Sequence, residues 1–419
     1  MSEAQAEPKF AKDCLVFKQG QDSLLGVSDS IGEGVEKIRS KMSDLTNIKN
    51  LHFLLGAGAS ADAIPDMARL IKIVEDKVRS NEIAQDLDEL YDFSHDQLKD
   101  LFSSVKAHSP KNLENILGTL YSKRAYLHGI GELESVNDYL IKLIESQIYT
   151  SINIDCSGSD ADKSLGLYKQ LYQKLALRNK DLSRVNVFTT NNDLLSETAL
   201  SYLNINYNNG FSSGLSRTFN PARFSYTFSR KVDVGMEKYE PLENMVYLYK
   251  LHGSISWVES DDNSFFNIKE IDVEPETKPK GENVLIYPTP LKQNKSLGSP
   301  YADLIRELQN KLLYQHGVLI VIGYSFSDEH INNAIYAALA SNPSLSIVIF
   351  GSYPSESLSQ LTDRRIYQIS GKVVEDSKEV NIHYFEFIIN NFIPDLDKSR
   401  DNDLLEDFIL SFKQLRGEK

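Results

Sequence analysis

Five short segments of this sequence combine residue types that can hold an anion, orient a hydroxyl and move a proton. The first is Gly56-Ala57-Gly58-Ala59-Ser60, and Ile64-Pro65-Asp66-Met67-Ala68-Arg69 follows it closely. Glycines let a backbone approach a pyrophosphate, and the N-terminus of a following helix favours its negative charge. The third is Thr189-Thr190-Asn191-Asn192-Asp193, and the fourth is Lys250-Leu251-His252-Gly253-Ser254. The fifth runs from Gly323-Tyr324-Ser325 through Asp328 and His330 to Asn332. An amide such as Asn191 can fix a water or a hydroxyl. Histidine, the type at position 252, is the side chain best suited to removing a proton near neutral pH.

One at a time, the segments leave plainer readings open. Gly56-x-Gly58 is also a tight strand-to-helix turn. Asn191 is also a good helix N-cap. His252 alone reads as a structural histidine, and His330 as either a capping residue or a site residue. Trp257 reads as packing. His52, His95, His108, His128, His316 and His383 have no partners at metal-ligand spacing and read as core or surface residues. The acidic stretch from Glu82 to Asp100 reads as a solvated helix face.

The elements that must position these residues follow from apolar patterning. Leu51 to Leu55 is a short apolar run ending at glycines, which predicts a buried strand. Pro65 suits the first turn of a helix, continued by ARLIKIVEDKV. EIAQDLDELYDF, DQLKDLFSSVKA, KNLENILGTLYSK and ESVNDYLIKLIESQIYTSI all carry apolar residues at helical spacing, with Pro110 near the start of one. Strands are predicted at Val185–Thr190, Met245–Leu251, VLIVIGY and Ser346–Gly351, and helices at Asp193–Leu203, Tyr301–Gln315 and from Asp328. The pattern predicts an α/β fold with a Rossmann-like, mostly parallel sheet and a large helical insertion. The polar segments sit at strand ends, where open α/β sheets bind ligands. The expected division is a polar extension over 1–45, with a short helix near Val35 to Met42. A main domain follows over 46–350, with a helical insertion at about 70–180 and an irregular one at about 260–300 that contains the strand VLIYP. A C-terminal segment over 351–419 would hold an edge strand, IHYFEFI, and a closing helix, LLEDFILSFKQL. A dehydrogenase would place a second strand about 20 residues after the glycines. Glu75 and Asp76 stand there inside a helical pattern, so that reading fits poorly.

Composition narrows the function classes. With 45 basic and 59 acidic residues in 419, the net charge is −14. That argues against direct nucleic-acid binding. The two cysteines, Cys14 and Cys156, fit a reducing compartment and cannot supply a four-cysteine zinc module. No apolar stretch approaches the roughly 20 residues that span a bilayer, and the N-terminus lacks a secretion-signal run. The expectation is a cytoplasmic protein with no metal and no membrane contact.

In this order, the five motifs resemble the sirtuins, whose pattern runs GAG-x-S, IPD-F-R, TQNID, HG and GTS. The forms TTN-x-D, KLHGS and GYS-x-x-D-x-H-I look more like the sirtuin-like NAD hydrolases of bacterial anti-phage defence. The resemblance covers residues of about 50 to 350. It implies that NAD is the substrate and that Gly56, Ala57, Gly58 and Ser60 cradle its phosphates and nicotinamide ribose. Asp66 would lie near the nicotinamide, and Asp193 would contact its carboxamide. Asn191, beside Thr190, would orient ribose hydroxyls or the attacking water, with His252 as general base. Gly323 and Ser325 would turn beneath the phosphates, with Asp328 and His330 belonging to the defence-type form. Departures are equally informative. The zinc ribbon of lysine-deacylating sirtuins has no cysteines here, Asn192 replaces the usual isoleucine, and Met67-Ala68 follows IPD. Water is therefore the expected acceptor, giving nicotinamide and ADP-ribose. The resemblance further implies activity gated by assembly, either as a homo-oligomer or with a HerA-type hexameric ATPase. Two alternatives remain open: a catalytically silent sensor of NAD or ADP-ribose, and an NAD-dependent lysine deacylase.

Overall fold

The computed structural model describes residues 15–394 apart from 81–82, 84–91, 111, 156–158, 177, 179–180, 234, 236, 260–267, 275–282, 286–299, 352–361 and 376–377. Strands β1 (Leu15–Gln19) and β2 (Asp22–Ser23) lead to α1 (Ile31–Thr46). A capping box starts α1, with Ser30 Oγ accepting from the Glu33 amide and the Glu33 carboxylate accepting from Ser30 N. Strand β3 (Asn50–Leu55) passes through a short 3-10 turn, Ala57–Ala59, to α2 (Met67–Val78). Helices α3 (His95–His108), α4 (Leu113–Gly129), α5 (Ser135–Ile152) and α6 (Ser159–Ala176) then separate β3 from β4 (Val185–Thr189). Next come α7 (Leu195–Tyr202), β5 (Asn206–Asn208), β6 (Arg217–Thr218), β7 (Ser229–Lys231), β8 (Tyr239–Pro241) and β9 (Met245–Lys250). Strands β10 (Gly253–Glu259), β11 (Ile268–Glu270) and β12 (Asn283–Leu285) precede α8 (Tyr301–Leu312) and β13 (Gly317–Ile322). The described chain ends through α9 (Glu329–Ser341), β14 (Leu345–Phe350), β15 (Ile366–Glu375), β16 (Lys378–Asn381) and α10 (Phe385–Asn391).

The central sheet runs β2-β1-β15-β14-β13-β3-β4-β9-β5, with β16 paired to β15. From β15 to β5 every pairing is parallel; β1 joins β15 antiparallel. Strands β3, β4 and β13 are buried at every residue, as expected where helices cover both faces. One face packs against α1, α6, α7 and α10, and the other against α8 and α9. The chain leaves β3 toward β4 on one side and returns through β13 on the other. Strands β3 and β13 are therefore neighbours where the strand order reverses, a topological switch point, where open α/β sheets form their ligand-binding crevice. Helices α2 to α5 build a separate apolar core around Val74, Phe102, Leu117 and Leu140.

Four expectations need correction. Residues 15–46 are part of the fold rather than a polar extension. Leu15 and Phe17 bury into the sheet, and Ile38 and Met42 of the sixteen-residue α1 pack beneath it. Helix α6 belongs to the sheet-covering layer rather than to the insertion, because Leu165, Tyr168, Leu171 and Tyr172 face the sheet core. IHYFEFI is not a strand: Phe385 to Asn391 is helical, and Phe385, Ile388, Ile389 and Phe392 share one buried face at helical spacing. Two helix starts also shift. Asp66, not Pro65, begins α2 as its N-cap, and Asn112 caps α4 two residues after Pro110. The helix EIAQDLDELYDF, most of the 260–300 insertion including the end of VLIYP, both cysteines, and LLEDFILSFKQL fall largely or wholly outside the described residues.

Candidate functional site

Four loops at the C-terminal ends of parallel strands converge on one cavity. The loops after β3 and β13 touch first. Gly56 N donates to the Ile322 carbonyl and Gly58 N to the Gly323 carbonyl, both at 2.9 Å. Gly323 has φ +65°, and a Cβ there would lie 2.6 Å from Ala59 N and 2.7 Å from Gly58 Cα. These contacts exist only because both loops lack side chains at the crossing. Gly56 serves this approach from behind, whereas Ala57, Gly58 and Ser60 line the cavity.

The loop after β4 places its polar groups against Ser60. Asn191 Nδ2 donates to Ser60 Oγ at 3.0 Å and also lies 3.4 Å from the Tyr168 hydroxyl. Ser60 Oγ donates to Asp193 Oδ2 at 3.0 Å, and the Tyr168 hydroxyl lies 3.0 Å from Ser60 Oγ. A hydroxyl has one proton and two lone pairs. Ser60 spends its proton on Asp193, so Tyr168 donates to Ser60 and accepts from Asn191. Both Nδ2 hydrogens of Asn191 are thereby committed, and its Oδ1 remains as the acceptor for a bound hydroxyl or water. Burial, then the Asp193 charge, holds the Tyr168 phenol well above its ordinary range, so it stays protonated. Asp193 also accepts from Leu195 N at the start of α7. Asn191 is not that helix's cap; Leu194 is.

Beneath this cluster lies a buried cation. Lys250 Nζ pairs with Glu197 Oε1 and donates to Ser254 Oγ, each at 2.9 Å, and also donates to the Asp193 carbonyl. Asn192 Nδ2 donates to the His252 carbonyl at 2.7 Å and to the Gly253 carbonyl at 3.2 Å. The residue that departs from the sirtuin pattern thus ties the β4 loop to the β9–β10 turn.

That turn sets His252 at the far wall. Its Nε2 lies 2.9 Å from Asp328 Oδ2. Asp328 Oδ1 accepts from His330 N and Ile331 N, which makes Asp328 the N-cap of α9. The loop before it is held in an unusual shape: Phe326 has φ 57°, and Asn332 Nδ2 clamps its carbonyl at 2.7 Å. Ser325 and Asp328 line the cavity, but His330 is exposed and does not; only its backbone enters the cap.

The cavity measures about 460 Å³. Asp66, Thr190, Asn191, Asp193, His252 and Gly323 line it together with Ser60. Ile64, Met67, Leu70, Leu113, Ile148 and Ile152 form an apolar wall across from them, supplied mainly by α2, α4 and α5. A second cavity of about 590 Å³ lies on the other side of the glycine loop and shares Gly58, Ala61, Asp66, Gly323 and Ser325 with the first. Arg69, Lys163 and Tyr384 border it. Sequence reasoning missed Tyr168, Lys250 as a buried anchor, and the apolar wall. Tyr168 sits in LGLYKQLYQKLA, an ordinary amphipathic pattern with no local signal of a site. Among the described residues no cluster is arranged to hold a metal ion, and no helix is long and apolar enough to cross a membrane.

No curated protein sequence matches the chain. Among solved structures, a Sir2 homologue in complex with NAD is similar at 12% identity, covering 86% of this chain and 94% of that one, with a TM-score of 0.36. A Sir2 homologue mutant in complex with ADP-ribose is similar at 12% identity, covering 86% and 96%, with a TM-score of 0.37. A Sir2 protein bound to an acetylated peptide is similar at 16% identity, covering 75% and 87%, with a TM-score of 0.26. Residues 185–371, which carry the Asn191, His252 and Asp328 segments, match the family model described as a SIR2-like domain.

Proposed function

We propose that this protein cleaves the bond between nicotinamide and ribose in NAD and transfers the ADP-ribosyl group to water. The observation that carries the reading is the convergence of Ser60, Asn191, Asp193 and His252 on one cavity floored by the glycine loops. The SIR2-like match over 185–371 supports it. Two cavities sharing Gly58 and Gly323 suit the two halves of a dinucleotide, with the pyrophosphate over the shared floor. A Cβ at Gly58 or Gly323 would collide with the backbone of the other loop and push that floor apart.

The chemistry needs little acid. Nicotinamide leaves as a neutral base from a cationic ring, and the ribose passes through an oxocarbenium-like state, as in other glycosyl hydrolyses. Asn191 Oδ1 accepts from the incoming water or a ribose hydroxyl and sets its lone pair toward the anomeric carbon. His252 takes the proton released when the new C–O bond forms. Ala57, Gly58, Ser60, Gly323 and Ser325 hold the phosphates and ribose, and Asp66, Thr190 and Asp193 border the nicotinamide. The apolar wall from α2, α4 and α5 excludes bulk solvent around it. The resemblance of its motifs supports a role in NAD-depleting anti-phage defence in the cytoplasm. There its turnover would be switched by assembly with itself or with a HerA-type ATPase.

The test is nicotinamide release from NAD by the purified chain, alone and with a HerA-type hexameric ATPase. Asn191→Ala and His252→Ala should each cut release at least about 100-fold. Wild-type rates in both variants would overturn the site. NAD binding without release under every condition would favour a sensor. Transfer of an acyl group from an acyl-lysine peptide to ADP-ribose would favour a deacylase.

A further inference from the structure

The Asp328 carboxylate faces two different demands. Oδ1 accepts two backbone amides at the N-terminus of the thirteen-residue α9, at 2.9 and 3.2 Å. Oδ2 lies 2.9 Å from His252 Nε2. Both partners approach an acceptor. The amides can only donate, and an ionised carboxylate can only accept. The helix N-terminus favours the negative charge that keeps it so. Nε2 of His252 must therefore carry its proton whether the ring is neutral or charged. A neutral ring has a single N–H, so the lone pair falls on Nδ1.

We infer that Asp328 is a positioning residue that fixes His252 in the Nε2–H tautomer and leaves Nδ1 as the nitrogen that accepts the proton. This rests on the NAD-cleaving reading for its catalytic consequence, though not for the pairing itself. A base oriented by a third group is a recurrent arrangement in nucleophile activation. Here the orienting group is locked by the same helix cap that shapes the loop. Tyr324 reinforces it, with its hydroxyl 3.2 Å from the Asp328 carbonyl and 3.1 Å from Asn332 Oδ1.

The geometry gives an unusual ordering of variants. Asn is as good an N-cap as Asp. In Asp328→Asn the amide oxygen must stay on the two helix amides, since turning it would set an NH2 against two donors. Nδ2 then points at His252 Nε2, which must become the acceptor, and the proton moves to Nδ1. Asp328→Ser keeps a cap but leaves His252 free to take either tautomer. The less isosteric serine should therefore be the more active variant.

The experiment uses the full chain labelled with 15N-histidine. Long-range proton–nitrogen correlation reads the His252 tautomer, and steady-state NAD turnover reads activity. The expected results are Nε2–H in wild type and Nδ1–H in Asp328→Asn. Asp328→Asn should lose kcat at least about 100-fold with KM within about threefold, and Asp328→Ser about tenfold. An Nδ1–H ring in wild type, an unchanged tautomer in Asp328→Asn, or equal losses in the two variants would overturn the inference. If wild type releases no nicotinamide, the NAD-cleaving reading fails, and the tautomer shift alone decides the role of Asp328.

Discussion

Replacing Gly323 by alanine tests the crossing of the two glycine loops. The new Cβ would lie 2.6 Å from Ala59 N and 2.7 Å from both Gly58 C and Gly58 Cα. All three are backbone atoms, which cannot rotate away. Ordinary contact begins at 3.4 Å, so the loops must part by the difference between 2.6 and 3.4 Å, roughly 0.8 Å. The two 2.9 Å amide–carbonyl bonds at Gly56 and Gly58 oppose that movement. The left-handed backbone at φ +65° adds about 1–2 kcal/mol for any residue with a Cβ. Overpacking costs about 1–3 kcal/mol, so the variant should lose about 2–5 kcal/mol of stability. The cost falls on function too, because Gly58 and Gly323 floor both cavities. A displacement near 1 Å lowers turnover about 100-fold where alignment matters. Urea unfolding gives the stability change, and calorimetric titration with NAD gives the affinity. Gly166→Ala in α6 is the control, since nothing lies within 4 Å of its Cβ position. It should stabilise by up to about 1 kcal/mol, with affinity unchanged. A Gly323→Ala protein within about 0.5 kcal/mol of wild type, with unaltered NAD affinity, would refute the close-approach argument.

Tyr168→Phe removes the donor to Ser60 and one acceptor of Asn191. Nicotinamide release should fall about tenfold while stability drops only about 1 kcal/mol, and an unchanged kcat would deny Tyr168 any part in orienting Asn191. A buried histidine and a largely buried glutamate should tilt stability against pH in opposite directions. Burial depresses His52 from 6.5 to about 3, so the unfolded chain binds a proton the folded one refuses, and stability falls as pH drops below 6.5. Burial, with Glu197 nearby, raises Glu270 from 4.5 to about 7, so the folded chain holds the extra proton and stability falls as pH rises through that window. Each contributes up to about 1.4 kcal/mol per pH unit, and between 4.5 and 6.5 they offset each other. Urea unfolding across that range should show stability falling with pH in His52→Gln and rising with pH in Glu270→Gln. Parallel profiles in the two variants would contradict the assignment.

The parallel sheet was legible because its strands are short apolar runs ending in glycine or polar loops, as at Leu51 to Gly56 and Val318 to Gly323. Asn191, Asp193, His252 and Asp328 were legible because each sits in a motif at such an end. What escaped lacked a local signature. β1 is five residues long and makes sense only beside β15, hundreds of residues later. Phe385 to Asn391 carries a period that reads as alternation until Phe392 is included. Tyr168 looks like any core residue of an amphipathic helix. Only the packing of α6 under the β3 and β4 loops turns its hydroxyl toward Ser60.

The polar residues of the site also hold the fold, and this shapes how their variants must be read. Asp193 accepts from Ser60 and from the first turn of α7. Lys250 joins the Asp193 carbonyl, Ser254 and Glu197 in one buried knot. Removing Lys250 would leave the Glu197 charge buried without its cation, a loss of about 3–5 kcal/mol that would lower activity through unfolding alone. Asp328→Asn and Tyr168→Phe are different in kind. Asp328→Asn keeps the volume and the cap and changes which atoms hold protons, and Tyr168→Phe keeps the ring packing and removes a single hydroxyl. A fall in kcat in those two variants, at nearly constant stability, separates chemistry from scaffolding in a site where the same atoms do both.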